Sequence, residues 1–241
     1  MALFKRFRTF VVEQHCIPWR VRTWLGKRHP RLLVFLLTGH TNANTPAHWD
    51  AKWREAGPDG ARWCQFPNKF ARICNIVRDG ADVLDIGCGA GILLAMLRDR
   101  RHCRCTGADI SREAIRMVQA NGMSGVVTTL PKLPLPDASF DYVIASELIE
   151  HLSQPELTLR EMARVARRGG RLIVSTPDHT LGTEDEIEHL HTFTADSLGA
   201  LLSHCGDVES VESIAEEGHD SRFLLAVCTV RKAGPGAGEQ T

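Results

Sequence analysis

Two groups of residues in this sequence have the types and spacing to do chemistry. The first is "VLDIGCGAG", residues 83–91, in which Gly87, Gly89 and Gly91 alternate with Cys88 and Ala90. Bare main chain at a turn lets a ligand come close, and a helix starting there offers free N–H groups. Asp85 stands just before the turn and Asp109 lies 24 residues beyond it. A carboxylate at the end of a second strand can accept from both hydroxyls of a ribose. Asp85 argues against a polyphosphate and for a cationic or amine-bearing ligand. A phosphate loop would need Gly-Lys-Ser/Thr where Leu93-Leu94 stands, and a dinucleotide fingerprint would need glycine at Ile92. The two acids therefore imply a ribose beside a positively charged, non-phosphate group. The second group is "SELIEHL", residues 146–152, with Glu147, Glu150 and His151 at i, i+3 and i+4. That spacing predicts one face of a helix.

The elements that must position these groups alternate in type from residue 62 onward. Short apolar runs at 82–87, 103–110, 125–130, 141–146 and "RLIVSTP" predict strands. Helical patterns at about 66–77, 92–100, 112–121, 155–167 and 194–206 separate or flank them. Ser111 and Thr194 are candidate caps, and Gly169-Gly170 is expected to close the 155–167 helix. "DVESVESIA" and "SRFLLAVCTVRK" read as a closing antiparallel pair. Strands alternating with helices predict an α/β fold, a doubly wound and mainly parallel sheet covered on both faces. Residues 1–61 form a basic extension, 62–232 the main domain and 233–241 a flexible tail.

Bulk properties narrow the setting. The 241 residues are 43% hydrophobic and 24% charged, with no formal net charge, a soluble globular composition. Residues 1–40 carry eight Lys/Arg and one acid, whereas 181–220 carry eleven acids and no Lys or Arg. None of the eight cysteines forms a CxxC pair, so a reducing, cytoplasmic compartment is expected. The longest purely apolar run near the start, "LLVFLL", is far shorter than the roughly 20 residues of a membrane span.

Five stretches in order, "VLDIGCGAG", "TGADIS", "LPLPDASFDYVIASELIEHL", "LREMARVARRGGRLIVSTP" and "HTFTADSLGALL", resemble the class I S-adenosylmethionine-dependent methyltransferases. The resemblance covers about residues 62–230. It implies a Rossmann-like, seven-stranded sheet whose last strand is antiparallel, and S-adenosyl-L-methionine as cofactor. Carried over, Gly87, Cys88, Gly89 and Gly91 would line the methionine part and Asp85 would hold its amino group. Asp109 would take the ribose hydroxyls, and Ile110 would pack on adenine. Family members often have an acid near the end of the third strand; here Thr128 and Thr129 stand there, and a backbone group of Leu130 is the replacement. Ser146 closes the expected cofactor set.

On the acceptor side the resemblance makes His151 the general base, supported by Glu150, with Glu147 and His191 facing the substrate. Methyl transfer to an aliphatic oxygen needs alignment and removal of the hydroxyl proton. The E-x-x-E-H pattern is similar to that of ubiquinone-pathway O-methyltransferases and small-RNA 2′-O-methyltransferases, where it can bind a divalent cation. His191, with His189 nearby, stands where the RNA group adds a histidine. Many relatives carry Glu-His without metal, so a metal is not favoured here. The acidic 181–220 segment is expected to repel a polynucleotide, which leaves a small-molecule or glycan hydroxyl as acceptor.

The extension mixes basic and aromatic residues and is expected either to pack as an arm or to touch a membrane surface peripherally. "NTPAHWDAKWREAG", residues 44–57, resembles the lead-in that covers the cofactor, with Trp49 and Trp53 one turn apart. The alternative to an enzyme is a non-catalytic, methyltransferase-like binding or scaffold subunit.

Overall fold

The computed structural model describes residues 44–57, 66–178, 188–216 and 222–231. The basic segment 1–40 and the tail 233–241 lie outside the described residues, as do 181–187 of the acidic segment.

Two helices precede the sheet. Helix α1, Pro46–Ala56, starts where Thr45 accepts from the His48 amide and Pro46 supplies a helical φ; it stops at Gly57, φ 71°. Helix α2 is Pro67–Ile76. The sheet then builds as β1 Asp82–Ile86, α3 Ile92–Arg101, β2 Arg104–Asp109, α4 Arg112–Ala120, β3 Ser124–Val127 and β4 Phe140–Ser146. Helix α5 Pro155–Val165, β5 Ala166–Pro177, α6 Ala195–Leu202, β6 Gly206–Ala215 and β7 Arg222–Val230 complete it.

The seven strands lie in the order β3-β2-β1-β4-β5-β7-β6. β2, β4 and their neighbours through β5 run parallel, and β7 is inserted antiparallel between β5 and β6. This is the mainly parallel α/β sheet expected from the alternating pattern, with the seven strands that the resemblance implies. The central strands β1, β4, β5 and β7 are largely buried on both faces, hence their apolar runs, whereas the edge strands β3 and β6 are partly exposed. Val83, Ile144, Ile173 and Leu225 pack with α2 and α3 through Phe70, Ile73, Leu93 and Leu97. Leu84, Val143, Leu172 and Ala226 point the other way, onto Leu159 and Met162 of α5 and Leu198 and Leu202 of α6.

Local chemistry explains most helix starts. The Ser111 side chain accepts from the Ala114 amide to begin α4, and Thr194 with Ser197 forms a reciprocal capping box on α6. Three expectations need correction. Helix α5 ends at Val165, and Gly169-Gly170 fall inside the irregular start of β5, Gly169 at φ 74°. There the β4–β5 register shifts between Phe140 and Tyr142. Strand β3 stops at Val127, so Thr128, Thr129 and Leu130 belong to the following loop. Glu147, Glu150 and His151 do not share the face of an α-helix: Glu147 is left-handed, φ 54°, and only Ile149–His151 turns, as one 3₁₀ turn.

Candidate active site

In an open parallel sheet the ligand crevice lies beyond the carboxyl ends of the strands where their order reverses. Here β1 lies between β2 and β4, so the crevice opens at Asp85, Asp109 and Ser146. The turn after β1 is tied back to β2: the Gly87 and Cys88 amides donate to Ala108 O at 2.7 and 3.2 Å. Gly89 N donates to Asp109 Oδ2 at 3.0 Å, and Ser111 N donates to Oδ1 at 2.8 Å. The glycine turn and the Asp109 carboxylate thus form one rigid unit. Gly89 has φ 51°, and a Cβ there would collide with the Trp53 ring. Trp53 of α1 is 6% exposed, laid across the turn with Ala90, Ala114 and Met117. Helix α3 starts at Gly91, φ 78°, with no side-chain cap, so the cap residue itself covers none of its first amides.

Both acids are buried. Burial, then the nearby Asp109 charge, pushes the Asp85 carboxyl up to about 8, against a pull from Lys69. Burial pushes Asp109 up to about 6, opposed by the amide donors of Ser111 and Gly89. Such a pair favours a ligand that brings its own positive charge. Cys88 behaves differently from the expectation. Its sulfur packs against Gly107 in a buried cluster with Leu94, Ile115 and Val118, so only its backbone lines the turn. Ile110 and Leu130 are half-buried near this edge. Ser146 Oγ lies 3.0 Å from Ser175 Oγ.

The 3₁₀ turn after β4 carries the proton-handling groups. His151 Nδ1 lies 3.1 Å from the Glu188 carbonyl. A carbonyl only accepts, so Nδ1 carries the proton and Nε2 keeps its lone pair. Burial drives the imidazole down to about 4, so it is neutral and able to accept near pH 7. Glu150 is fully buried; Thr176 Oγ1 donates to its Oε2 at 3.0 Å, and its Oε1 has no hydrogen-bond partner. Burial, then the Glu147 charge, holds Glu150 well above the carboxylate range. The Glu150 carbonyl accepts from Leu190 N at 2.7 Å and His191 N at 3.1 Å.

The histidine of the later segment that joins the group is His189, not His191. Ligand atoms of Glu150, His151 and His189 lie within 4.8 Å of one another. His191 instead turns toward Phe193, ring centroids 6.1 Å apart, with Nε2 buried and unbonded.

Several site residues carry no motif. Glu188 accepts from Lys52 Nζ at 2.8 Å and contacts His48 Nε2 at 3.0 Å. Those two partners hold its carboxyl well below the usual range. Asn44 Nδ2 donates to the carbonyls of His151 (3.0 Å) and Glu188 (2.8 Å). The Trp49 ring meets His151 edge-on at 5.5 Å. Asp50 accepts from Ser111 Oγ at 2.7 Å and Glu113 N at 3.2 Å. Helix α1 is thereby fastened over both halves of the crevice. Lys69 is fully buried, 3.0 Å from Glu147 Oε1; its one sequence signal is a lysine on the apolar face of Phe66, Phe70 and Ile73.

The acidic segment is not a bare lid. Among the described residues, Glu209, Glu212 and Asp207 pair with Arg171, Arg72 and Arg231. Glu216 caps α2 by accepting from the Asn68 and Lys69 amides. Those partners sit far along the sequence, so the run of acids by itself does not display these pairings.

Residues 84–174 match the family model described as "Methyltransferase domain". Over that span the chain is similar to this family. It is 34% identical over 137 residues to the ubiquinone biosynthesis O-methyltransferase of Xylella fastidiosa, covering 54% of this chain and 55% of that one. It is 36% identical over 138 residues to a probable S-adenosylmethionine-dependent methyltransferase of Mycobacterium tuberculosis, covering 53% and 49%. The chain spans about half the length of the curated relatives it matches. A solved chain from the complex of the Haloferax volcanii Trm112 methyltransferase activator with a methyltransferase superposes at TM-score 0.65 and 21% identity. That match covers 76% of this chain and 98% of that one. At this identity it speaks for the fold alone. The matched span runs from β1 to β5 and so contains the glycine turn, Asp109 and the Glu147–His151 turn of the methyltransferase domain.

Proposed function

We propose that the chain is an S-adenosylmethionine-dependent methyltransferase acting on the oxygen of a small-molecule or glycan hydroxyl. The observation that carries the reading is the Asp109 carboxylate locked by the Gly89 and Ser111 amides beside the glycine turn. In this reading Asp109 takes the ribose hydroxyls, Asp85 faces the amino group, and the Gly87–Gly91 backbone lies along the methionine chain. The buried setting of Asp85, with the Asp109 carboxylate nearby, suits a cation, which fits a sulfonium amino acid. When bound, the cofactor supplies a methyl group already activated for transfer.

The chain's own residues then do the rest. Trp53 and α1 exclude water above the turn. Neutral His151, oriented by the Glu188 carbonyl, accepts the acceptor's hydroxyl proton at Nε2. Glu150 Oε1 stands 3.8 Å from that nitrogen, and burial with the Glu147 charge raises its carboxyl above the usual carboxylate range. Glu147 and Trp49 wall the acceptor side, whose enclosure by α1 suits a small group rather than a polymer. Glu150, His151 and His189 are chemically fit for a divalent cation, but this reading needs none, because His151 itself accepts the proton and the cofactor's methyl is already activated. Chelation is therefore expected to leave the rate unchanged.

The setting proposed is cytoplasmic. The described cysteines, Cys74, Cys88, Cys103, Cys105, Cys205 and Cys228, are free thiols, which suits a reducing compartment. No helix of the described residues is long and apolar enough to cross a membrane. The test is incubation with labelled S-adenosylmethionine and a panel of phenol, sugar and aliphatic hydroxyl acceptors. Cofactor binding without transfer to any acceptor, and unchanged biological activity of His151→Ala, would instead favour a scaffold subunit.

A further inference from the structure

The methyltransferase reading uses Glu150 and His151 but leaves unexplained a fully buried lysine under the site. Lys69 opens α2, and its side chain is 0% exposed. Its ammonium lies 3.9 Å from the Phe223 ring centroid, 4.1 Å from Phe66 and 5.7 Å from Phe70. Ring faces attract a cation, more strongly when water is gone. Among the described residues its one ion pair is with Glu147 Oε1 at 3.0 Å. Asp85, Glu150 and Glu216 are the other acids whose charges reach it.

Glu147 is the hinge between β4 and the turn that carries Glu150 and His151. It is one of three non-glycine residues with positive φ among those described, at 54°. A side chain in that region is strained and persists where surroundings over-determine it. Three groups hold it there: Lys69 on Oε1, Ser175 Oγ donating to Oε1 at 2.9 Å, and the Glu147 amide donating to Ser175 O at 3.0 Å.

We propose that Lys69 is a positioning residue: its caged ammonium anchors Glu147 in the left-handed bend and so sets where Glu150 and His151 stand in the crevice. The inference rests on the methyltransferase reading for the purpose of that turn, though the anchoring itself does not depend on it. A lysine merely filling core space would gain more as methionine or leucine, because a buried ion pair repays its desolvation only with fitting geometry.

The experiment uses the full chain with Lys69→Met, Glu147→Gln and the double variant. The imidazole proton resonances of His151, assigned with His151→Gln, are read at one fixed pH with melting temperatures alongside. Lys69→Met leaves the part-buried Glu147 carboxylate without its cation, and Glu147→Gln leaves the buried ammonium without its nearest anion; each is expected to lose about 10 °C. The double variant is expected to recover at least half of that loss. In every folded variant the His151 resonances shift, and in the double they shift no further than in the larger single. Unmoved His151 resonances in folded Lys69→Met or in the double overturn the proposal, as do additive shifts or a double no more stable than the singles. Calorimetry of the wild-type chain with S-adenosylmethionine runs in parallel. No heat there removes the methyltransferase reading and leaves the Lys69–Glu147 coupling standing, whereas heat with unmoved His151 removes the Lys69 role alone.

Discussion

Trp53 lies directly over Gly89, filling the space a side chain at position 89 would need. Helix α1 and the glycine turn are therefore fitted to each other across 36 residues of sequence. Gly89→Ala forces a methyl into that ring at a φ of 51°, a combined cost of about 2 kcal/mol. The melting temperature is expected to fall by roughly 5 °C, with cofactor affinity reduced about tenfold or more. Trp53→Ala in the same chain relieves the collision, so the double variant should lose less than the two singles together. Differential scanning fluorimetry with and without S-adenosylhomocysteine reads both.

Asp109 has two duties, ordering the turn through Gly89 N and Ser111 N and receiving the ribose in the proposed complex. Asp109→Ala removes both and is expected to weaken cofactor binding by about 10- to 100-fold, the range for hydrogen bonds to a charged group. Asp109→Asn keeps the shape and one acceptor oxygen and should fall between. Equal, unaltered affinity in both variants by calorimetry would remove the ribose role.

Asp85 makes the unliganded chain's stability depend on pH. Its carboxyl sits near 8 in the fold against 3.8 as the ordinary value. A raised value means the folded state keeps the proton longer, so this contribution is present at low pH and is lost as pH rises from about 4 to 8. Asp85→Asn stays neutral throughout and should gain on the wild type across that window, at up to about 1.4 kcal/mol per pH unit. Urea denaturation at pH 5, 7 and 9 measures it. A cationic ligand needs the ionised form, so binding at pH 7 should release a proton, visible as a buffer-dependent heat that Asp85→Asn lacks.

His151 is neutral above about pH 4 because burial opposes its charge. His151→Ala should cut transfer by 10²- to 10⁴-fold, the usual range for a general base, while leaving cofactor affinity within twofold. The wild-type rate should not fall between pH 8 and 5 through this group, the sign expected when the free base already predominates. A steep loss near pH 6.5 would mean the imidazole is solvated and otherwise placed.

What the sequence alone determined is the part written in local spacing. Apolar runs of period-compatible length define the strands, Ser111 and Thr194 mark helix starts, and three glycines with Asp85 and Asp109 mark the crevice. Each of these depends on neighbours a few residues away or on one repeated pattern, so a single chain displays it. Tertiary structure decided the rest. His48 and Lys52 meet Glu188 across 140 and 136 residues, and Lys69 reaches Glu147 only because α2 packs beside β4. Glu147 bends left-handed, so the E-x-x-E-H spacing that reads as one helical face becomes a 3₁₀ turn and brings in His189 instead of His191. Cys88 faces the core because Gly107 leaves room for its sulfur. Such pairings arise from where elements land on the sheet, and two side chains that never meet along the chain leave no periodicity to read.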